Sequence, residues 1–322
     1  MNDAPSVAVV IPSWNSLGLL PRCLDSLADQ GAPAELLVVD NGSTDGSVAF
    51  LRREGVPHLS LPHNVGFAAA INLGVARTAA PTVLALNADT ALEPQCLARL
   101  LEALEAGTGL GGVQPRILQL EEGAPADVDS ARLYSAGQAL TRDGRAVELG
   151  AGEAQSPELL RCREVFGVCG AACLLRRELF SELGGYDESY FAFYEDVDLN
   201  VRARIAGWRF EYVPEAVVWH VGNASWQEGF ERPGAENARL VARNRLATQV
   251  KFMPLGAVPR IAVVEVASLL RALRQRRFLA TSRGKLAALS RLPGLLRERH
   301  LLARDGDPER ARRWLRTGLE PG

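Results

Sequence analysis

No window of the sequence offers the ~20 uncharged apolar residues that a membrane-spanning helix requires. The most apolar long stretch, LGAVPRIAVVEVASLLRAL, is interrupted by Arg260 and Glu265. The first fifteen residues, MNDAPSVAVVIPSWN, also lack the basic start and the long apolar core of a signal peptide. We therefore expect a cytoplasmic protein with no spanning helix.

Cysteines arranged as a disulfide framework or a zinc site are absent as well. The chain has five cysteines, an odd number scattered along its length. Cys169 and Cys173 are four residues apart, but no second pair of Cys or His lies at zinc-binding spacing. The pattern predicts free, buried thiols in a reducing compartment.

Two signatures of phosphate-binding loops are also missing. Neither G-x-G-x-x-G nor G-x-x-x-x-G-K-S/T follows the first apolar run of the chain. These absences argue against a dinucleotide-dependent dehydrogenase and against a P-loop NTPase.

The overall composition is that of an ordinary globular protein. The chain has 322 residues, of which 47% are hydrophobic and 23% charged, and these suffice for a folded protein with a sizeable core.

The formal net charge of −2 conceals a strong asymmetry. The segment from Arg271 to Gly322 contains fourteen Lys and Arg against five Asp and Glu, a balance of +9, so the rest of the chain carries −11. An acidic body with a basic tail indicates that the tail meets an anionic partner. The tail shows no recognised nucleic-acid-binding fold, so we do not expect nucleic acid as that partner.

Short apolar runs alternate with helical patterns over the first 110 residues. SVAVVIPSW, AELLVVD, HLSLPHN and TVLALN are typical of strands, and segments such as LGLLPRCLDSLADQG and GFAAAINLGVARTA between them are typical of helices. The alternation predicts an α/β fold with a mostly parallel central sheet and flanking helices. Strands that are apolar throughout fit burial on both faces of the sheet.

Polar side chains follow each of these predicted strands. Ligands bind outside the carboxyl ends of the strands in open parallel sheets, so a cleft there would gather these residues. The alternative is that each is only a helix cap or a turn residue. Asp89 stands where a carboxylate reaches a divalent cation that bridges a diphosphate, because Mg²⁺ sites often combine one or two carboxylates with substrate phosphates. The residues after the four strands are Ser13 and Asn15, Asp40 and Asn41, Asn64 and Gly66, and Asn87 and Asp89.

The stretch SYFAFYEDVDLNVRARIAGW places three acids directly after a run of aromatic residues. One interpretation is a helix start, where the helix dipole favours acids. The other is a catalytic carboxylate in a partly apolar cleft. Asp198 stands four residues before Arg202 and predicts an ion pair on a helix surface. The candidates for chemistry are therefore Glu195 and Asp196.

Six segments of the chain together resemble a known family. The chain resembles the family-2 inverting nucleotide-sugar glycosyltransferases of the GT-A fold, and within them the bacterial rhamnosyltransferase-like branch that builds surface polysaccharides. The resemblance covers roughly residues 6 to 254 and rests on the order and spacing of the segments. They are VVIPSWN, VVDNGSTDGS, NVGFAAAINLG, LALNADT, GVCGAACLLRRELFSELGGYDESYFAFYEDVDLNVRARIAG and VVWHVGNAS.

The resemblance implies a metal set, a catalytic pair and a nucleotide-binding set. Asn87-Ala88-Asp89 matches the family's D-x-D metal motif with Asn in place of the first acid, so Asp89 becomes the principal ligand of Mg²⁺ or Mn²⁺. His220 is either a second metal ligand or a core histidine. Glu195-Asp196 matches the catalytic pair, with Asp196 the expected base. The nucleotide-binding set is Pro12, Ser13, Asn15, Asp40, Asn41, Asn64, Gly66 and Asn87.

The same resemblance implies a GT-A catalytic domain over residues 1–254, with a nucleotide-binding half at about 1–110 and an acceptor half at about 111–254. It implies dTDP-rhamnose or a UDP-sugar as donor. The acceptor would be a hydroxyl of a glycan or a polyprenyl-diphosphate-linked saccharide in cell-surface polysaccharide synthesis. A non-catalytic nucleotide-sugar-binding or scaffold protein stays an alternative. A sugar-1-phosphate nucleotidyltransferase is a further one, disfavoured because IPSWNSLGLLPR has no Gly-rich loop with Arg and Lys for a triphosphate.

Residues 255–322 form a predicted basic helical extension, in which leucines recur at helical spacing with arginines between them. Basic amphipathic helices bind the interface of anionic membranes, which predicts a peripheral location on the inner face of the cell membrane. The alternative is that the leucines pack on the catalytic domain or on a second subunit. Just upstream, Arg243 and Arg245 either reach a diphosphate or form a solvated basic face. The leucines are Leu269, Leu270, Leu273, Leu286 and Leu289.

Overall fold

A mixed β-sheet of ten strands runs through the computed structural model, which describes residues 4–120, 127–221 and 233–315, and two further strands pair as a hairpin. The strands are β1 Val7–Ser13, β2 Ala34–Asp40, β3 His58–Ser60, β4 Thr82–Leu86, β5 Thr90–Leu92, β6 Leu110–Gln119, β7 Leu133–Ser135, β8 Gln138–Leu140, β9 Ala146–Glu148, β10 Arg163–Val165, β11 Ala172–Arg176 and β12 Arg209–His220. The helices are α1 Leu20–Asp25, α2 Ser47–Arg53, α3 Phe67–Val75, α4 Cys96–Ala106, α5 Arg177–Glu182, α6 Glu195–Ala206, α7 Pro233–Phe252, α8 Val258–Arg274, α9 Phe278–Leu289, α10 Leu292–Asp305 and α11 Pro308–Arg312.

The strand order of the sheet is β10-β12-β6-β11-β4-β1-β2-β3, with β5 paired to β12 and β7 paired to β6. β4, β1, β2 and β3 run parallel to one another, and β12 runs parallel to β6. β11 joins the two parallel groups, because it is antiparallel to both β4 and β6. The predicted α/β fold with flanking helices and a mostly parallel sheet is confirmed, and the alternation did not predict the antiparallel strands, of which β11 is the central one and β5, β7 and β10 are short.

The central strands β1 and β4 of the parallel half are buried on both faces, as their continuous apolar pattern predicted, whereas β2 is only partly buried and the edge strand β3 is not. Every residue from Val7 to Ile11 is at most 1% exposed. Ser13 pairs in register with Asp40, and Val10 pairs with Ala85. The carboxyl ends of β1, β2 and β4 therefore lie at one edge of the sheet, and the polar residues that follow these strands become neighbours.

The long strand β12 brings His220 to the same edge. β12 pairs antiparallel with β5, and His220 lies opposite Thr90, the residue after Asp89. The backbone N–H of Val221 also donates to the carbonyl of Asp89 at 3.1 Å. The sheet topology thus places a histidine beside a carboxylate that is distant in the chain. Residues 222–225 of the motif VVWHVGNAS lie outside the described residues.

The helices after α7 are attached to the rest of the protein by polar contacts. Glu265 of α8 pairs with Arg245 of α7 at 2.9 Å and also contacts Lys285 of α9. Arg299 of α10 donates to the carbonyl of Met253 at 2.6 Å. The boundary predicted at residue 254 falls in the gap between α7 and α8, but these bonds cross it. The division into a catalytic domain and an extension stays a prediction.

The extension exposes much of its apolar surface. Within the described ranges, no helix is both long enough and apolar enough to cross a membrane. Leu269 is half-buried, whereas the other four leucines of the predicted membrane face are at least half exposed. The exposed fractions are 57% for Leu270, 60% for Leu273, 64% for Leu286 and 50% for Leu289.

All five cysteines are free thiols, as the sequence predicted. Cys23, Cys96, Cys169 and Cys173 are buried. Cys162 is exposed, so the expectation of burial is wrong for that one residue.

Candidate active site

A cleft of about 280 Å³ opens at the carboxyl ends of β1 and β4, where the strand pattern predicted a ligand site. Nine of the twelve predicted site residues line it, so a single cleft gathers members of the nucleotide, metal and catalytic sets. The nine are Pro12, Ser13, Asn41, Asn64, Asn87, Asp89, Glu195, Asp196 and His220.

Asn15 and Asp40 shape a loop of the cleft without lining it. The backbone N–H of Asn15 donates to Ser43 Oγ at 2.8 Å, and Asn15 Oδ1 accepts from the N–H of Thr44 at 2.8 Å. Asp40 is buried, and its Oδ2 accepts from the N–H of Ser43 at 3.2 Å. Both residues therefore fix the polar loop after β2 against the end of β1.

Gly66 is the third predicted residue that does not line the cleft. Its φ is +93°, in the region that favours glycine, and a Cβ there would lie 2.6 Å from the carbonyl oxygen of Phe191. Asn41 Nδ2 donates to the Gly66 carbonyl at 3.1 Å. The structure gives this glycine a packing role, because the aromatic segment before the acid pair sits against it.

Two neighbouring buried oxygens lack a hydrogen-bond partner among the residues that the structure describes: Ser13 Oγ and Asp40 Oδ1. Each residue is 1% exposed, and the two are register partners on β1 and β2. Buried polar atoms without partners are rare and call for a ligand or water. A hydroxyl and a carboxylate side by side are suited to hydrogen bonds with the N–H groups of a base and the O–H groups of a ribose.

Asp89 and His220 lie side by side in the cleft and are both buried. His220 Nε2 is 3.2 Å from Asp89 Oδ1 and 3.5 Å from Asn87 Nδ2. The ring of Tyr134 packs edge-on against the imidazole at a centroid distance of 4.4 Å. Carboxylate oxygen and imidazole nitrogen are donors that Mn²⁺ accepts, and Mg²⁺ needs few protein ligands when phosphates complete its shell. The donor set fits the predicted cation.

Backbone groups hold Asp196 at the start of α6. Its Oδ2 accepts from the N–H of Gly170 at 2.9 Å, and its Oδ1 accepts from the N–H of Val197 at 2.8 Å. Withdrawal of the carboxylate from bulk water raises the pKa of Asp196, and the Gly170 N–H opposes that rise. The result is a carboxylate that lines the cleft and binds a proton more readily than an exposed aspartate.

Glu195 differs from its neighbour in its hydrogen bonding. It is 6% exposed, and its Oε2 has no partner within the described part of the chain. Burial, and then the charge of Asp196, raise the pKa of Glu195 well above its usual range. A carboxyl that retains its proton is a poor base, which favours Asp196 for that role.

The third acid, Asp198, does not lie on a helix surface, so that part of its prediction is wrong. It does pair with Arg202 at 2.6 Å, but its side chain is fully buried. Lys251 of α7, itself 4% exposed, also donates to Asp198 at 2.7 Å. The surface prediction failed because this second cation comes from a helix remote in the chain.

Glu148 and Gln138 belong to the cleft but escaped the sequence analysis. They face each other across the hairpin of β8 and β9. Gln138 Nε2 donates to Glu148 Oε1 at 3.0 Å and to Asp196 Oδ2 at 3.1 Å, so one amide joins the two carboxylates. Enclosure, and then the charge of Asp196, raise the pKa of Glu148 to about 7. Nothing local in the sequence distinguishes Glu148.

The ligand atoms of Glu148, Cys169 and Asp196 lie within 4.8 Å of one another, so this cluster is a second place to consider for a metal. Gln138 and the Gly170 N–H already donate to its carboxylates. Burial raises the pKa of the Cys169 thiol well above its usual range, so the soft ligand stays protonated. The chemistry of this cluster suits Mg²⁺ or Mn²⁺ less well than that of Asp89 and His220.

Arg243 and Arg245 do not line the cleft. Arg245 pairs with Glu265 at 2.9 Å. Arg243 donates to Asn244 Oδ1 at 2.8 Å and to the carbonyl of Tyr190 at 2.6 Å. Both arginines therefore make contacts within the protein, and neither the expected diphosphate contact nor the expected solvated face is found.

Comparisons with known proteins agree with this geometry. A family model described as Glycosyl transferase family 2 matches residues 8–184, more than half of the chain. The chain is 32% identical over 212 residues to N-acetylglucosaminyl-diphospho-decaprenol L-rhamnosyltransferase of Mycobacterium tuberculosis, covering 58% of this chain and 66% of that protein. It is 32% identical over 235 residues to an N-acetylglucosaminyltransferase of Rhizobium meliloti, covering 66% and 50%. The chain therefore spans about half to two thirds of the length of these two relatives.

Two solved structures share the fold at low sequence identity. GalNAc-T7, solved with UDP, GalNAc and Mn²⁺, superposes with a TM-score of 0.59 at 17% identity, covering 78% of this chain and 49% of that one. The mannosyltransferase PcManGT of Pyrobaculum calidifontis, solved with GDP-Man and Mn²⁺, gives a TM-score of 0.52 at 18% identity, covering 90% and 88%. The sheet topology, the cleft at its carboxyl edge and the matching family model lead to one conclusion: the chain belongs to glycosyl transferase family 2 and has the GT-A fold.

Proposed function

We propose that the protein is an inverting, metal-dependent glycosyltransferase that moves a sugar from a nucleoside diphosphate to an acceptor hydroxyl. The observation that carries the proposal is that one cleft is lined both by the Asp89–His220 pair and by the Asp196 carboxylate. A transferase needs these two functions in one space, since the diphosphate must leave while the acceptor is deprotonated.

The donor nucleotide binds at the ends of β1 and β2 in this proposal. Neither Ser13 Oγ nor Asp40 Oδ1 has a partner among the described residues; the Ser13 hydroxyl can donate to or accept from the base and the ribose, and Asp40 Oδ1 accepts from them. Asn64 and Asn87 line the adjoining part of the cleft. The relatives with rhamnosyltransferase names support dTDP-rhamnose as the donor, with a UDP-sugar as the second candidate.

Asp89 and His220 are the residues that would hold Mg²⁺ or Mn²⁺, with Asn87 beside them. When bound there, the cation supplies positive charge to the departing diphosphate. Among the described residues that line the cleft, none is Lys or Arg, so this part of the lining brings no such charge to the diphosphate. This absence of basic residues also weighs against a nucleotidyltransferase, which would have to hold a triphosphate.

Asp196 is the base. It accepts the proton of the acceptor hydroxyl as that oxygen bonds to the anomeric carbon and the bond from that carbon to the diphosphate oxygen breaks. The Gly170 N–H fixes the Asp196 carboxylate, and its raised pKa strengthens it as a proton acceptor. Attack on the face opposite the leaving group inverts the anomeric configuration.

The acceptor in this proposal is a glycan or a polyprenyl-diphosphate-linked saccharide at an anionic membrane surface, in cell-surface polysaccharide synthesis. The support is an apolar face on α8, where exposed residues recur at intervals of three and four, and its continuation on α9. Exposed arginines surround it, including Arg271, Arg274 and Arg283. The face consists of Val263, Val266, Leu270, Leu273, Leu279, Leu286 and Leu289.

Vesicle co-sedimentation tests the membrane contact. Truncation after α7 would break the ion pair between Arg245 and Glu265, so a surface variant is the better probe. The double variant Leu270→Glu/Leu273→Glu should lose binding to vesicles that contain anionic lipid, and salt should weaken wild-type binding. Leu160→Glu, which changes an exposed leucine outside the extension, should bind as the wild type does. Equal partitioning of both variants would leave a second subunit as the partner of this face.

Incubation with a panel of nucleotide sugars and Mg²⁺ or Mn²⁺ tests the proposed function. We expect slow release of nucleoside diphosphate from the nucleotide sugar, and an acceptor should accelerate this release. Consumption of a nucleoside triphosphate with a sugar phosphate would indicate a nucleotidyltransferase instead. Binding of a nucleotide sugar without any turnover would indicate a scaffold protein.

A further inference from the structure

The segment before the acid pair has an unusual backbone. Phe191, Phe193 and Tyr194 have φ values of +66°, +67° and +70°, in the left-handed region that residues with a Cβ rarely adopt. Such a conformation persists only where the surroundings hold it, and it is concentrated at functional sites. Phe193 and Tyr194 line the cleft and lead directly into Glu195.

One side chain of α7 holds this segment. Asn244 Nδ2 lies 2.9 Å from the carbonyl oxygen of Tyr190, 2.8 Å from that of Ala192 and 2.7 Å from that of Phe193. Asn244 is fully buried. The amide nitrogen carries two hydrogens, so one of them is shared between two of the three carbonyls.

Neighbouring contacts fix the orientation of the Asn244 amide. Arg243 Nε donates to Asn244 Oδ1 at 2.8 Å, so the oxygen is occupied and the NH₂ group must face the segment. α9 packs tightly on α7, since a Cβ on Gly284 would lie 2.2 Å from the carbonyl oxygen of Arg239. The donor is therefore held by a helix that cannot shift easily.

The segment also touches the nucleotide side of the cleft. The Phe191 carbonyl accepts from the N–H of Ala68 at 3.2 Å, and the Phe191 ring covers Gly66. The position of residues 190–194 thus sets the distance between the nucleotide loops and Asp196.

We propose that Asn244 is a positioning residue for sugar transfer: its amide holds residues 190–194, including the positive φ angles of Phe191, Phe193 and Tyr194, and thereby places Asp196 against the donor. This inference rests on the proposed function for its kinetic consequence. The structural consequence, that the segment loosens when the amide is removed, does not depend on the proposed function.

Hydrogen exchange and kinetics of Asn244→Ala and Asn244→Asp test the proposal. Asn244→Asp keeps the shape but removes both donors. We expect faster exchange in residues 190–196 of both variants, no change in β1 and β4, and at least a tenfold fall in kcat. The KM for the donor should stay within about twofold, because the nucleotide loops do not contact Asn244. Should Asn244→Ala fold poorly, the Asp variant decides the outcome alone.

Thr248→Val is the matched control. It removes another buried hydrogen bond between α7 and the same segment, that of Thr248 Oγ1 with Tyr190 Oη at 3.0 Å, and leaves the amide in place. Its kcat should stay within twofold of the wild type even where stability falls. Unchanged exchange in residues 190–196 of the Asn244 variants, or a kcat equal to that of Thr248→Val, would overturn the inference. If the wild type transfers no sugar, the proposed function fails, and the exchange measurement still decides whether Asn244 holds the segment.

Discussion

On the nucleotide side of the cleft, polar side chains bond within their own loop or to the loop beside it. Asn64 Oδ1 accepts from the N–H of Gly66 two residues later, and Asn41 spans 24 residues to reach Val65. On the acid side, Asp196 relies on Gln138, 58 residues earlier. The nucleotide side is thus built from consecutive strand ends, while the acid side is assembled from separate parts of the chain.

The difference also extends to electrostatics. On the nucleotide side, single buried oxygens of Ser13 and Asp40 have no hydrogen-bond partner in the described part of the chain, which suits a ligand that brings its own donors and acceptors. The acid side crowds Glu148, Glu195 and Asp196: burial raises all three pKa values, and the charge of Asp196 raises those of Glu148 and Glu195 further. In the proposed function, one side binds the nucleotide and the other holds and moves a proton.

The largest expected effect is that of Asp196→Asn, which separates the two sides most sharply. The variant keeps the size and most hydrogen bonds of the side chain but cannot take a proton. Turnover should fall by about 10²–10⁴-fold while nucleoside diphosphate binding persists, as measured by steady-state kinetics and by thermal shift. A larger loss in Glu195→Gln than in Asp196→Asn would reverse the assignment within the pair.

Asp89→Ala should show the converse behaviour and lose binding as well as turnover. Removal of the carboxylate leaves His220 and Asn87 as the remaining residues of the described metal set. Transfer should fall to background, and the stabilisation by nucleoside diphosphate with Mg²⁺ or Mn²⁺ should vanish, while the unliganded protein melts within a few degrees of the wild type. Transfer that resists a chelator would contradict the metal role.

Gly66→Ala tests whether the two sides are mechanically joined. A Cβ at Gly66 would lie 2.6 Å from Phe191, whereas a Cβ at Gly55, which also has a positive φ, meets nothing within 4 Å. Gly55→Ala should therefore cost about 1–2 kcal/mol of unfolding free energy for its backbone conformation alone. Gly66→Ala should lower the unfolding free energy by about 1–3 kcal/mol more than Gly55→Ala, because the segment that contains Phe191 must move. Urea denaturation measures both, and equal costs would argue against a tight contact.

Glu148→Gln should give the smallest effect, a change in pH dependence. The pKa of Glu148 is raised from 4.5 to about 7, so the folded protein keeps a proton that the unfolded chain loses between these values. Stability therefore falls as pH rises through this window, because the native state binds more protons. Between pH 5 and pH 8 the wild type should lose on the order of 1–3 kcal/mol relative to the variant.

Denaturation of the Glu148→Gln variant at the two pH values measures the effect. Glu153→Gln, which changes an exposed acid just after the hairpin, is its control and should follow the wild type. Parallel pH dependence in the wild type and in Glu148→Gln would mean that Glu148 is ionised as in an exposed glutamate.

The sequence predicted what is local. Apolar strands followed by Ser13, Asn41 and Asp89 identify the edge of a parallel sheet, and a histidine at the end of β12 reaches the same edge. The sequence did not reveal Glu148 or Asn244, because their partners are distant in the chain and no spacing rule links them. For the same reason Asp198 was expected at a surface, although it is buried and pairs with Lys251 from a remote helix.

The anomeric configuration of the product shows whether the acceptor attacks the face opposite the diphosphate. The account places the base Asp196 and the diphosphate site at Asp89 and His220 so that the acceptor attacks opposite the leaving group. NMR of the product formed from a donor of known configuration should show the opposite configuration at the transferred sugar. A product with the donor's own configuration, or the absence of transfer from every nucleotide sugar tested with metal and acceptor, would contradict the account.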